Sequence, residues 1–183
     1  MKGIIDFDDV LFPTVQSVLK LYGEKTNHKV SFSKITDWQI ASICNQYNGD
    51  ILELFTEIDF LKIKPFWGTA AALKKLNDNH DILIVTASSI ANSKVVTNKL
   101  AAIKKYFPFI KEEQFVCTSL KYFMNPDFVI EDSPKMTNKF AMKTNSKIIL
   151  INKPWNQECT SFHYRTNRLA NTPKIVEKIA SIK

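Results

Sequence analysis

The sequence predicts an α/β fold in which a parallel sheet is covered by helices on both faces and a small helical segment is inserted after the first strand. Three observations carry this. Short apolar runs at residues 3–5, 82–85, 128–130 and 147–151 alternate with segments whose apolar residues recur at helical spacing. The first three runs lead straight into polar residues, namely Asp6, Thr86 and Glu131. Residues 26–64 hold no strong β-branched run, only short amphipathic pieces separated by residues such as Asn45, Asn48 and Gly49. Ligands of open parallel sheets bind beyond the carboxyl ends of the strands, so a site is expected where those polar residues fall.

The elements follow in order. Gly3-Ile4-Ile5 is a short buried strand that delivers Asp6 and Asp8. Residues 15–22 have helical spacing, with Gly23 placed to stop the helix. The inserted segment carries Trp38, Tyr47, Phe55 and Phe60, which are expected to fill a small core. Pro65-Phe66-Trp67-Gly68 reads as a hinge, after which Thr69 can cap a helix through Leu76. Residues 82–85 form the second buried strand and deliver Thr86, Ala87, Ser88 and Ser89. A helix is expected over 91–106, then a short strand at Phe115–Cys117 followed by Lys121. The strand at 128–130 ends in Glu131 and Asp132; a helix over 135–142, a strand at Lys147–Ile151 and a helix over 173–182 opened by Thr172 and Pro173 complete the chain.

Composition bounds the function. A chain of 183 residues with 45% hydrophobic content suits one core with a small inserted module. No run approaches the 18 or so apolar residues that a membrane span requires, and Asp6 follows the first residues without a signal-like apolar region. A cytoplasmic protein without a membrane partner is therefore expected. Cys44, Cys117 and Cys159 are widely spaced and read as free thiols. The net charge of +7 fits either nucleic acid or small anions such as phosphates, and the lysines are scattered, as on solvated helix faces.

Asp6 and Asp8 lie on one face if strand geometry persists, and crowded carboxylates call for a cation. Hard oxygen ligands suit Mg²⁺, which takes one or two carboxylates together with phosphate oxygens. Asp-x-Asp alone is weak evidence, because acidic pairs after a strand are commonly turn residues. The weight comes from convergence: Asp6 and Asp8, Thr86 and Ser88, Lys121, and Glu131 with Asp132 all fall at or beyond strand ends on one sheet edge.

In this order the residues resemble the haloacid dehalogenase (HAD) superfamily of aspartate-nucleophile phosphatases, whose motifs run Asp-x-Asp, Ser/Thr, Lys and an acidic pair. Here these are Asp6-Phe7-Asp8, Thr86, Lys121 (with Lys135 as its rival) and Glu131-Asp132. Asp9 stands where many members have Gly, and Glu131 where many have Asp; neither is expected to touch the nucleophile or a metal ligand. Within the superfamily the chain resembles the 5'(3')-deoxyribonucleotidases, through the helical insertion, Pro65-Phe66-Trp67-Gly68-Thr69, Asn152-Lys153-Pro154-Trp155-Asn156 and Tyr164-Arg165-Thr166-Asn167-Arg168.

The resemblance implies a Rossmann-like HAD core of residues 1–14 and 65–183 with a helical cap of residues 15–64. It implies Asp6 as nucleophile, Asp8 as acid and base, Thr86, Ser88 and Lys121 on the phosphoryl group, and Mg²⁺ held by Asp6, the Asp8 carbonyl and Asp132. Phe66 and Trp67 are expected as a hinge or a base platform. The implied substrate is a (deoxy)ribonucleoside monophosphate. A phosphatase of nucleic-acid ends or of another small phosphomonoester, and a non-catalytic module keeping the fold, stay open as alternatives, as does the oligomeric state, a dimer included.

Overall fold

The computed structural model describes residues 1–37, 40–88 and 93–182. Its strands are β1 (Lys2–Asp6), β2 (Asp81–Thr86), β3 (Phe115–Cys117), β4 (Phe128–Glu131), β5 (Lys147–Ile151) and β6 (Tyr164–Thr166). They form one sheet in the order β3-β2-β1-β4-β5-β6 with every pairing parallel. The helices are α1 (Thr14–Thr26), α2 (Ile40–Ile43), α3 (Glu53–Glu57), α4 (Thr69–Asn79), α5 (Ser93–Tyr106), α6 (Pro134–Lys143) and α7 (Thr172–Ala180). None of the described helices is long and apolar enough to cross a membrane.

The apolar runs are buried on both sides because successive strand residues point to opposite faces. Ile5, Ile84, Ile130 and Ile149 join one cluster with Val15, Leu73, Ile103 and Val176 from α1, α4, α5 and α7. Ile4, Val85, Val129 and Ile148 join a second cluster with Phe140 from α6. The inserted segment does not form a core of its own: Ile35, Ile40, Ile51, Leu54 and Phe60 belong to the first cluster. Three tethers fasten its return, with Asn98 Nδ2 donating to the Ile58 carbonyl at 2.7 Å, and Lys105 Nζ and Tyr106 Oη to that of Leu61 at 2.7 and 3.0 Å.

Register sets the height of the site. Asp6 lies opposite Val85, and Ile5 opposite Ile130, so Asp6, Thr86 and Glu131 end their strands within about one residue of each other. β1 is central, and the strand order reverses across it, which makes its carboxyl end the switch point where a crevice opens.

Several sequence expectations are corrected. Gly23 does not stop α1, which runs on to Thr26 and ends at Asn27 in the left-handed region (φ 57°). The burial of Tyr22 anchors its last turn against a mid-helix glycine cost of about 1 kcal/mol, and the exposed Lys25–Glu57 pair adds little. Thr69 is not a cap: Gly68, with φ 78°, precedes α4, and the Thr69 hydroxyl is buried with no hydrogen-bond partner among the described residues. β6 was not foreseen, since Tyr-Arg-Thr is a half-buried edge strand with no apolar run. Trp38, Ser89 and residues 91 and 92 of the expected helix lie outside the described residues.

Candidate active site

After β1 the chain folds back on itself. Leu11 N–H donates to the Phe7 carbonyl at 3.0 Å and Asp9 N–H to that of Phe12 at 2.9 Å, with Asp9 itself at φ 54°. Phe7 turns inward, stacked on Phe12 (4.9 Å between centroids) and edge-on to Phe60 (5.1 Å). Asp6 and Asp8 both border one cavity, as period-two geometry requires. The positive φ explains a glycine preference at the position of Asp9. Here the Asp9 carboxylate accepts from Val15 N–H at 3.2 Å and so caps α1, whose preceding residue, Pro13, offers no side-chain cap. Burial pushes the Asp9 carboxyl up to about 7, against the opposing pull of Lys153.

Asp6, Glu131 and Asp132 are buried together, each with a carboxylate oxygen within 4.8 Å of the others. Lys121 Nζ reaches Asp6 Oδ1 at 2.5 Å and Glu131 Oε2 at 2.9 Å from the 3₁₀ turn Lys121–Met124. Lys135, its rival in the sequence, is exposed and lines the same cavity, with no bond to these carboxylates among the described residues. Glu131 was not expected to touch this group, yet it is the strut of it: Oε1 also accepts from Asp132 N–H (3.2 Å) and Ser133 N–H (3.3 Å). One ammonium faces three carboxylates. Burial and then Glu131 push Asp6 well above the usual carboxylate range despite Lys121, and burial, then Glu131, Asp6 and Asp9, do so for Asp132 against the pull of Lys153. Burial would lower Lys121, but Asp6 and Glu131 outweigh it and hold it above its ordinary value.

The far side of Asp132 is braced by the segment after β5. Trp155 Nε1 donates to Asp132 Oδ2 at 3.0 Å and Asn156 Nδ2 to the Asp132 carbonyl at 2.8 Å. Arg165 of β6 in turn donates to Asn156 Oδ1 (3.1 Å), the Asn156 carbonyl (2.9 Å) and Asn152 Oδ1 (2.9 Å). Among the described residues this leaves Asp6 Oδ2 and Asp132 Oδ1 as carboxylate oxygens without a hydrogen bond. Two free hard oxygens in an acidic pocket with excess negative charge suit a divalent cation such as Mg²⁺.

Asp8 is held separately. Thr14 Oγ1 donates to its Oδ1 at 2.8 Å; Lys99 Nζ (2.5 Å) and Thr86 Oγ1 (3.2 Å) donate to its Oδ2. Lys99 also donates to Thr86 Oγ1 (2.9 Å) and Ser88 Oγ (2.8 Å). Burial would raise Asp8, but Lys99, by charge and hydrogen bond, and then Thr14 outweigh it and hold the carboxyl below its ordinary value. Lys99 was missed in the sequence, where it sits mid-helix among Thr97, Asn98 and Lys104 and looks like one more solvated lysine.

Two cavities meet at Asp8. One, of about 420 Å³, holds Asp6, Lys121, Glu131 and Asp132. The other, of about 430 Å³, is bordered by the inserted segment and walled largely by Ile40, Leu52, Phe55, Phe60 and Val95, with Ser88 and Lys99 also lining it. A larger cavity of about 700 Å³ opens at the amino edge beside Lys2, His80 and Gln114 and holds none of these carboxylates. Phe66 and Trp67 line neither of the first two. Phe66 packs under Lys153 (4.3 Å from Nζ to the ring centroid), and Trp67 is exposed beside Arg168 (5.7 Å). The backbone explains this, since Phe66 N–H bonds the Leu11 carbonyl and Gly68 packs against Ala170, steering both rings toward the 152–171 segment.

Comparisons with known proteins bear on the family and the fold. Residues 3–180 match the model of the family described as 5' nucleotidase, deoxy (pyrimidine), cytosolic type C protein. A 5'(3')-deoxyribonucleotidase of Clostridium acetobutylicum is 29% identical over 140 residues, 74% of this chain and 75% of that protein. Among solved structures, a HAD family hydrolase from Deinococcus radiodurans with bound phosphate and sodium superposes with a TM-score of 0.66 at 13% identity, covering 98% of this chain and 96% of that one. The CbbY protein of Rhodobacter sphaeroides in complex with phosphate gives 0.57 at 13% identity, over 93% and 95%. The structural matches show the fold, and the family model spans nearly the whole chain. The chain therefore belongs to the 5' nucleotidase, deoxy (pyrimidine), cytosolic type C family, is a phosphoric monoester hydrolase, and has the fold of HAD hydrolases.

Proposed function

We propose that this enzyme hydrolyses (deoxy)ribonucleoside monophosphates in the cytoplasm with Mg²⁺, through an aspartyl-phosphate on Asp6. The observation that carries the reading is the place of Asp8. It stands on the wall shared by the carboxylate cavity, which suits a phosphoryl group, and the apolar cavity, which suits a nucleoside. A phosphomonoester laid across that wall puts its bridging oxygen beside the Asp8 carboxyl.

In this reading Asp6 attacks phosphorus with Oδ2, its Oδ1 being held by Lys121, and the bond from phosphorus to the ribose oxygen breaks. Asp8 is a carboxylate in the free site, so the proton it hands to the leaving oxygen arrives with the monoprotonated phosphate of the substrate. Asp8 then takes a proton from the water that attacks phosphorus, the bond to Asp6 breaks, and inorganic phosphate leaves with that proton, which returns Asp8 to the carboxylate. General acid–base help of this kind is worth about 10²- to 10⁴-fold. Thr86 and Ser88 offer hydroxyls to the phosphoryl oxygens, and Lys121 offsets their charge. Asp6, Asp132 and the Asp8 carbonyl would hold Mg²⁺, which supplies charge neutralisation that lets a carboxylate approach a phosphate.

Residues 15–64 act as the cap over the leaving nucleoside. The apolar cavity replaces Phe66 and Trp67 as the base site, with Phe55 and Phe60 as its aromatic walls. A site roofed in this way leaves little room for a polymer. The test compares phosphate release, with Mg²⁺, from a deoxynucleoside 5'- or 3'-monophosphate and from an oligonucleotide carrying the same terminal phosphate. The mononucleotide is expected to be preferred at least about tenfold in kcat/KM, a difference of about 1.4 kcal/mol. Equal or faster hydrolysis of the oligonucleotide overturns the roofed-site reading.

A further inference from the structure

We infer that Lys99 is a positioning residue for the proton transfers of Asp8. The inference rests on Asp8 being the acid and base of a phosphomonoesterase, as proposed above. Lys99 lies on α5, 13 residues after Thr86, and only 4% of it is exposed. A lysine loses about 2 kcal/mol of rotamer freedom when fixed, and its ammonium is costly to desolvate, so its burial calls for a full set of partners. It has them. The three donors of Nζ match Asp8 Oδ2, Thr86 Oγ1 and Ser88 Oγ, and the ammonium lies over the rings of Phe7 (5.1 Å) and Phe60 (5.6 Å).

The two buried lysines divide the site. Lys121 bonds Asp6 and Glu131; among the carboxylates Lys99 bonds Asp8 alone. With Thr14 on Oδ1 and Lys99 on Oδ2, the Asp8 carboxylate is gripped at both oxygens by the first turn of α1 and the middle of α5. Rotation of the carboxyl away from the shared wall of the two cavities then breaks a charge-assisted bond and a neutral one. Lys99 exchanges no proton in this account. It fixes the direction in which Asp8 gives one to the leaving oxygen and takes one from water, and proton transfer is sensitive to such geometry. Val95, one turn earlier on α5, lines the apolar cavity, so a single helix places both the nucleoside wall and the acid–base anchor.

The test uses leaving groups. An alkoxide leaves only with a proton, whereas p-nitrophenolate leaves without one, and kcat/KM reports the steps through transfer of the phosphoryl group to Asp6. Lys99→Met is compared with wild type on a deoxynucleoside 5'-monophosphate and on p-nitrophenyl phosphate, with thermal unfolding measured alongside. Nucleotide kcat/KM is expected to fall at least about 100-fold, and aryl phosphate kcat/KM less than about tenfold. Should the Met variant not fold, Lys99→Gln, which keeps amide N–H donors and much of the length but no charge, is read by the same ratio. Equal losses on both substrates would make Lys99 a phosphate ligand or a general support, and no loss would make it a packing residue; each overturns the inference. If wild type turns over another alkyl phosphate and no nucleotide, the substrate reading has failed. The ratio is then taken with that ester, and Lys99 is still judged by it.

Discussion

Asp132 and Glu131 are adjacent, acidic and buried, and only their hydrogen bonds tell them apart. Glu131 has both oxygens engaged, by Lys121 and by two backbone N–H groups, whereas Asp132 has one oxygen on Trp155 and, among the described residues, one without a hydrogen bond in the cluster with Asp6. Asp132→Ala is therefore expected to raise the Mg²⁺ concentration for half-maximal activity at least about tenfold, with partial rescue by excess metal, in a metal titration. An unchanged titration would move the ligand role to Glu131. Asp6, Asp8, Thr86, Lys121 and Asp132 were legible in the sequence because an apolar run ends just before three of these groups, and chain order does the rest. Lys99 was not, because burial of a lysine depends on what faces its helix from across the sheet edge, and here that is Asp8, 91 residues away.

At the scale of elements, strand identity was readable wherever both faces are buried, since β1, β2, β4 and β5 are nearly continuous apolar runs. β6 was invisible for the opposite reason. It is half-buried at the sheet edge, and its Arg165 serves the brace behind Asp132 instead of a core. The aromatic pair Phe66-Trp67, expected as a hinge or a base platform, lines neither cavity because a turn at positive φ decides its direction, and side-chain type does not reveal that turn's target. The β1–β4 pairing has its own sequence signature in Gly3: a Cβ there would lie 2.2 Å from Phe128 Cζ, and the ring is fully buried. Gly3→Ala is expected to cost about 1 to 3 kcal/mol in urea unfolding, with Mg²⁺ dependence retained if the protein stays folded at assay temperature. An unaltered unfolding midpoint would mean that Phe128 moves aside without loss.

Over the whole molecule, the lysines behind the +7 charge are scattered along the chain and form no single block in the sequence. Lys74 pairs with Asp78, Lys75 with Glu177 and Lys104 with Glu112 on exposed faces, each worth little to stability. The buried lysines are the informative ones, and two of them converge on the Asp-x-Asp aspartates. Binding of a mononucleotide should accordingly weaken far less with salt than polyanion binding does, because few counterions are released. A slope of log affinity on log salt steeper than about −4 would argue instead for a nucleic-acid end as substrate. The account as a whole turns on Asp6 as the nucleophile of a nucleotide phosphatase. Its most direct test is phosphate release from a deoxynucleoside monophosphate with Mg²⁺ by wild type and Asp6→Asn side by side, both shown to be folded. Wild type is expected to turn over and the variant to lose well over tenfold, more than about 1.4 kcal/mol of transition-state stabilisation; a variant that keeps more than a tenth of wild-type activity contradicts the account.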